Sequence, residues 1–390
     1  MRILLVNSHG ADPAYGGAER YVRDLADGLA RRGWEVAVLS AFPQRTGVAG
    51  LETLALHGSD WREDGLRRLR NRIGDVVSVP WPRLRSVIAA FEPDLVHTNN
   101  LPGIGTGIWE AARRKRVATV HSLHDYYLLC PRTSLVGRDG SPCSPSPLLC
   151  GARTRRLGRW AAGVDGLIAG SEHLLGVHAG LFEGTAAAVI RLPLAPLSSG
   201  PGERPAALRK LGYLGALTAT KGVDLLVDAA PALAGSGIRL RVAGEGPLRG
   251  RVEAADIDYA GRLEGTAVEE FTLGCDAGIV PSTWNEPSGP PYTVCEWLAA
   301  RRPVLAARRG GLAEAEGMAG VSGFEPTVPE LVRAGLGLSE AGAWGGLSAA
   351  VPEITDRRDV ERWLDEHEAA YRAATGRRAP RAGAGADPSP

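Results

Sequence analysis

The chain has 390 residues, 44% of them apolar, and a formal net charge of +1. That length exceeds what one hydrophobic core serves and predicts two domains, while the balanced charge excludes a broad basic field for nucleic acid. The N-terminus "MRILLVNSHG" has neither a cleavable signal pattern nor a bilayer-length apolar run, and the 5 cysteines make an odd number, so the reading is a cytoplasmic protein rather than a disulfide scaffold.

In chain order, short runs rich in Val, Ile and Leu ("RILLVN", "EVAVLSA", "DLVHTN", "VATVHSL", "GLIAGS") alternate with amphipathic helical segments such as "GGAERYVRDLADGLARRG". Buried strands separated by helices predict a parallel, doubly wound sheet over residues 1–195. A Pro/Gly/Ser-rich stretch at 196–207 reads as a linker. The pattern restarts over 208–355 with "KLGYLG", "IRLRVAGEG", "DIDYAGRL", "AGIVPS" and "RPVLAARRG", each followed by a helical pattern. The fold class is therefore α/β, with two Rossmann-like doubly wound domains facing across a cleft. The stretch 356–377 predicts a C-terminal helix whose Trp363 region returns to the N-terminal domain, and 378–390 reads as a disordered tail.

Open α/β sheets bind ligands at the carboxyl ends of their strands, so the residues directly after each apolar run carry the information. After the first run, Gly16 and Gly17 open a helix whose N–H groups and dipole suit an anion, although a plain tight turn explains them as well. His121, His124 and Asp125 follow "VATV"; either histidine reads as a cleft residue or as a hydrogen-bonded structural one, and Asp125 is placed to orient a neighbouring imidazole. Lys221 stands at a helix start, where the dipole disfavours a cation, and that local conflict points to an anionic ligand. In "PSTWNEPSGPPYTVCEWLAARR", Glu286 lies in a turn with Ser288 and Gly289, and Glu296 near the start of a helix, where a carboxylate can cap or accept from sugar hydroxyls.

Taken in order, "GGAERYVRDLADGLARRGWEVAVL", "HDYYLLCPR", "GSEHL", "YLGALTATKGVDLLVDA", "VAGEGPLRGRVE", "YAGRLEG" and "PSTWNEPSGPPYTVCEWLAARRPVLA" resemble the retaining nucleotide-sugar glycosyltransferases of family 4, with the GT-B fold, from Met1 to about residue 376. The resemblance implies that Gly16 and Gly17 lie beside the donor diphosphate and acceptor. It implies that His121 or His124 lies beside the transferred sugar and that Lys221 pairs with the diphosphate. Gly246 matches the "GEGP" loop, and Gly261, Arg262 and Leu263 would border the nucleobase. Glu296 would hold the ribose, and Glu286 would lie near the donor sugar. The implied reaction is a retaining, metal-independent transfer with no cofactor, and the expectation is that the sequence shows no Asp-x-Asp motif of the metal-dependent glycosyltransferases. The implied donor is a UDP- or GDP-sugar, and the acceptor a small natural-product molecule or, alternatively, a lipid-linked or cell-surface glycan. A catalytically impaired scaffold is the non-enzymatic alternative.

Two departures stand out. Nine residues separate Glu286 from Glu296, where the family usually has seven, and Gly215-Ala216-Leu217 lacks the arginine common before the lysine, leaving Arg308 and Arg309 as replacements. Cys130, Cys143 and Cys150 resemble part of a zinc-chelating set in some relatives, but the fourth place is Arg153, so free thiols are expected. Segment 62–73, "REDGLRRLRNRI", is the one candidate membrane-surface patch, with a solvated helix face as its plainer reading.

Overall fold

The structure is a computed structural model, which describes residues 1–12, 15–42, 52–56, 81–137, 140–143 and 148–378. The 62–73 segment and positions 379–390 of the tail lie outside the described residues.

The first half forms a 7-stranded sheet in the order β3-β2-β1-β4-β5-β6-β7. Its strands are β1 (Arg2–Asn7), β2 (Glu35–Ser40), β3 (Glu52–Ala55), β4 (Leu95–Thr98), β5 (Ala118–Leu123), β6 (Gly166–Ala169) and β7 (Ala186–Val189), all paired in parallel. The second half forms a 6-stranded sheet in the order β10-β9-β8-β11-β12-β13. Its strands are β8 (Lys210–Leu214), β9 (Arg239–Ala243), β10 (Asp258–Tyr259), β11 (Ala277–Val280), β12 (Val304–Ala307) and β13 (Val321–Phe324), again parallel. Parallel pairing explains the near-continuous apolar runs: central strands such as β4, β5, β6, β11 and β12 are buried along their whole length by helices on both faces.

Chain order reverses beside β1 in the first sheet and beside β8 in the second. Such switch points open crevices at the strands' carboxyl ends. Side chains and backbone of the two halves touch there: Ser171 Oγ donates to Pro287 O at 2.5 Å, Gly289 N to Gly170 O at 3.2 Å, and Tyr126 Oη to Asn285 O at 3.0 Å. Glu314 of the second half accepts from the backbone N–H groups of Glu172 and His173, which begin the helix Glu172–His178 of the first.

The C-terminal helix Arg358–Arg378 packs on the first sheet, burying Trp363, Leu364, Tyr371 and Ala374 with Ile3, Leu5, Val22 and Val120. A Cβ on Gly28, in the helix Gly17–Arg31, would meet Leu364 Cδ2 at 2.5 Å, so this glycine sets how closely the two helices approach. Under the contact runs a buried polar chain. Tyr371 Oη meets His97 Nδ1 at 2.8 Å, His97 Nε2 meets Ser122 Oγ at 2.7 Å, and Tyr21 Oη meets Ser122 Oγ at 3.2 Å and His367 Nε2 at 2.5 Å.

The histidines His97, His121, His178 and His367 are almost wholly buried. Burial keeps each neutral: it pulls His121 down to about 3, His178 and His367 to about 4, and His97 well below its ordinary value. Below about pH 6.5 the unfolded chain takes up protons at these histidines that the folded chain refuses, so acid favours unfolding. Each contributes a loss of about 1.4 kcal/mol per pH unit, running from about 6.5 down to its own folded value. The melting temperature is expected to change little above about pH 7 and to fall increasingly steeply between about pH 6.5 and pH 5 in thermal melts. A flat profile would contradict the buried, neutral assignment.

Candidate functional site

The first helix begins where the sequence places it. Gly16 is its N-cap and Gly17 its first residue, both exposed to the cleft. A Cβ on Gly17 would lie 3.6 Å from Tyr292 Cδ2 of the other half, so the Gly-Gly turn faces the second domain across the crevice.

His124 and His121 have different surroundings. Side chains two apart on a strand share a face, and His121 turns inward: its Nδ1 contacts Thr98 Oγ1 at 2.9 Å, and its ring lies against Trp109 and Phe182. This corrects its candidacy, because a histidine packed in the layer behind the sheet is a structural residue. His124 follows β5, is partly exposed, and donates from Nε2 to Asn99 Oδ1 at 2.8 Å, with Tyr21 edge-on at 4.6 Å between ring centres. Burial first and His367 second pull its pKa down to about 3. At neutral pH His124 is thus an uncharged imidazole whose Nε2–H is committed, leaving Nδ1 as an acceptor.

Asp125 does not orient either imidazole. Its Oδ1 accepts the backbone N–H of Tyr127 at 2.7 Å, a local turn, and burial pushes its carboxyl up to about 6.

Lys221 ends a 3₁₀ turn, Ala219–Lys221, whose N-cap Thr218 accepts from the Lys221 N–H; Gly222 then starts the helix Val223–Gly235. Gly222 has φ 74°, and a Cβ there would sit 1.9 Å from Pro281 O, so the lysine loop lies tight against the end of β11. Gly246 serves the same end: a Cβ there would come within 2.5 Å of Leu217 O, and Leu248 N donates to that oxygen at 3.0 Å. The "GEGP" loop is thereby laid on the loop that carries Lys221.

Glu286 and Lys221 meet directly. The ammonium lies 2.6 Å from Glu286 Oε1, which also accepts from Ser282 Oγ at 2.5 Å. Lys221 Nζ stands 5.4 Å from the ring centre of Trp284. Glu286 is nearly fully buried while the lysine side chain is about one-third exposed, so the pair presents its positive end to the crevice.

Ser288 and Gly289 lie on the strip that touches the first half. Ser288 Oγ is 3.5 Å from where a Cβ on Gly170 would stand, and a Cβ on Gly289 would be 2.0 Å from Gly311 O. Together with the parallel bridge of Glu286 to Gly310, these contacts absorb the longer Glu286–Glu296 loop, folding it between Gly170 and Gly311.

Glu296 is not a helix-capping acid. It occupies the second turn of the helix Tyr292–Ala299, whose first turn has no acidic residue, and its Oε1 takes Arg20 Nη1 at 2.5 Å. Arg20 belongs to the first half. Burial pushes the Glu296 carboxyl up, and Arg20 opposes that shift.

Arg308 and Arg309 are committed elsewhere, Arg308 to Glu316 at 2.7 and 2.8 Å and Arg309 to Glu325 at 2.9 Å. Neither replaces the missing arginine as the structure stands. Arg262 pairs with its neighbour Glu264 and lines a cavity of about 1010 Å³ between the halves, together with Leu263, Tyr292, Glu296 and Arg20. That is a volume suited to a nucleotide-sized ligand.

Cys130, Cys143 and Cys150 are free thiols, and among the described residues no group of three His, Cys, Asp or Glu side chains has metal-binding geometry. One literal Asp-x-Asp triplet, Asp256-Ile257-Asp258, is present and corrects the expectation that the sequence has none. It enters the edge strand β10, and Asp258 pairs with Arg241 at 2.9 Å. Among the described residues no helix is long and apolar enough to cross a membrane.

Sequence reasoning missed Asn99, Arg20, Tyr292 and Ser282. Asn99 follows the run "DLVHT", and Ser282 follows "AGIVP", so the rule that selected His124 applies to both. Arg20 had no signal beyond its place one turn after Gly17.

Comparison with known proteins agrees with this layout. A model described as Glycosyltransferase Family 4 matches residues 15–183, and one described as Glycosyl transferases group 1 matches residues 209–338. A Klebsiella pneumoniae protein described as an uncharacterized 42.6 kDa protein in the cps region is 28% identical in an alignment of 344 residues that covers 80% of this chain and 87% of that one. Among solved structures, sucrose-phosphate synthase from Thermosynechococcus elongatus superposes with a TM-score of 0.70 at 18% identity, covering 95% of this chain and 98% of that one. Anabaena HepE, in complex with UDP and glucose, gives 0.66 at 18% identity with the same coverage. The catalytic domain of starch synthase IV from Arabidopsis thaliana, bound to ADP and acarbose, gives 0.68 at 12% identity over 96% of this chain and 99% of that one.

Proposed function

The chain belongs to the glycosyltransferases of the GT-B fold, and from that premise we propose that it moves a sugar from a nucleotide diphosphate sugar to a hydroxyl acceptor with retention at the anomeric carbon. Lys221 carries the reading: Glu286 holds the cation at 2.6 Å at the start of a helix, and the lysine side chain stays about one-third exposed, where a further anion would find both its charge and the helix N-terminus.

In this reading the nucleotide occupies the cavity beside Arg262 and Glu296, Glu296 accepts from the ribose hydroxyls, and the diphosphate reaches Lys221 and the N-terminal ends of the helices beginning at Gly17 and Val223. The acceptor hydroxyl approaches the anomeric carbon on the face that the diphosphate leaves. The new C–O bond forms as the bond to the phosphate oxygen breaks, and the hydroxyl proton passes to the departing diphosphate. Fixed positive groups aimed at that developing charge lower the barrier. Glu286, bonded to both Lys221 and Ser282, holds the lysine in place rather than attacking carbon. His124 Nδ1 accepts from a hydroxyl of the transferred sugar.

The relative's place in a cps region favours a polysaccharide acceptor over a small natural product, with the reaction in the cytoplasm. UDP in the HepE complexes makes a UDP-sugar the first donor to test, ahead of a GDP-sugar. Proton NMR of the sugar released from an α-linked donor, recorded before mutarotation, is expected to show the α anomer. A β product would overturn retention while leaving the transferase reading intact.

A further inference from the structure

We propose that Arg20 is a positioning residue that holds the Glu296 carboxylate for the nucleotide ribose, so that the first domain completes the donor site of the second. The inference rests on the transferase reading and on its placement of the ribose at Glu296.

An ion pair between two partly exposed side chains is ordinarily worth little. This one is built differently. Arg20 Nη1 meets Glu296 Oε1 at 2.5 Å, and the guanidinium carbon lies 4.1 Å from the centre of the Tyr292 ring. Tyr292 is fixed in turn, because its hydroxyl donates to Asp24 Oδ2 at 2.9 Å, and Arg20 Nε stands 3.9 Å from the same oxygen. The guanidinium is thus held on one side by an aromatic face and on two edges by carboxylates, with little freedom left to lose when a ligand arrives. Glu296 shares its helix with the buried Cys295 and Trp297, so its backbone is fixed as well. Arg20 engages Oε1; among the described residues no hydrogen bond is made to Oε2, and Glu296 lines the cavity between the halves. A carboxylate with one oxygen fixed by a charge-assisted bond leaves the other available in a set direction, which is what recognition of ribose hydroxyls requires.

A residue that acts through Glu296 matters only to a ligand that uses Glu296. Calorimetry would be run with UDP, GDP and ADP, then with the 2′,3′-dideoxy form of whichever binds. Wild type is expected to lose about tenfold or more in affinity when the hydroxyls are removed. Arg20→Ala is expected to weaken the parent nucleotide about tenfold while leaving the dideoxy form within about twofold, and Arg20→Lys to recover part of the loss. Equal weakening of both forms by Arg20→Ala, weakening of neither, or a wild type that holds both equally overturns the role given to Arg20. A wild type that binds none of the three nucleotides overturns the transferase reading itself, and the role of Arg20 with it.

Discussion

Lys221→Ala is expected to reduce kcat for sugar transfer by about 10²–10³-fold, the range found when a preorganised group facing developing negative charge is removed. The lysine is the cation presented to the crevice by its pairing with Glu286 at 2.6 Å. Its loop cannot drift, because Gly222 admits no side chain against Pro281 O. Diphosphate becomes more basic and more charged as the sugar departs, so the interaction strengthens along the reaction and kcat suffers more than KM. Lys221→Arg restores charge without the point geometry and should recover only part of the rate. Steady-state kinetics on the three proteins checks this. A Lys221→Ala enzyme within twofold of wild type in kcat would show that charge at this position is idle.

The second large effect separates the two histidines that sequence alone left level. His124→Ala is expected to lower transfer about 10²-fold or more while leaving the melting temperature within a degree or two of wild type. This imidazole is partly exposed in the crevice and is tied by one bond to Asn99. His121→Ala is expected to do the reverse. It removes a ring packed between Trp109 and Phe182 and the partner of Thr98 Oγ1, a loss of about 2–3 kcal/mol of stability, with activity per folded molecule retained. Thermal melts and kcat measured on the same samples decide the assignment, and exchanged phenotypes would reverse it.

Why one histidine was distinguishable only in three dimensions also explains what sequence could and could not convey. Period-2 alternation puts His121 and Leu123 on one face of β5, but which face meets the helix layer depends on the neighbours of β5, and pairing order is not written along the chain. Most strands legible in the sequence, such as "LLV" of β1 and "GIV" of β11, lie inside their sheets and are apolar on both faces, β10 within "DIDYAGRL" being the edge exception. Those overlooked, β3 with "ETLA", β7 with "AAAV" and β13 with "VSGF", are all at sheet edges, where one flank lacks a neighbour and the apolar demand is weaker. The sequence puts Glu296 near a helix start, yet the partner that explains it is Arg20, far away in the chain and visible only once the domains face each other. Asp125 looked like an imidazole partner by adjacency, but a short acid after a strand is as well suited to capping its own turn, and Tyr127 N takes it.

Whether this crevice holds a nucleotide diphosphate sugar is tested by titrating UDP, GDP and ADP calorimetrically into wild type and Glu296→Ala, then offering the matching nucleotide sugar. One nucleotide is expected to bind wild type, Glu296→Ala to lose about tenfold or more of that affinity, and the matching nucleotide sugar to release its sugar slowly. Absence of binding by all three, with no sugar released, would contradict it and leave a GT-B scaffold without the transfer chemistry.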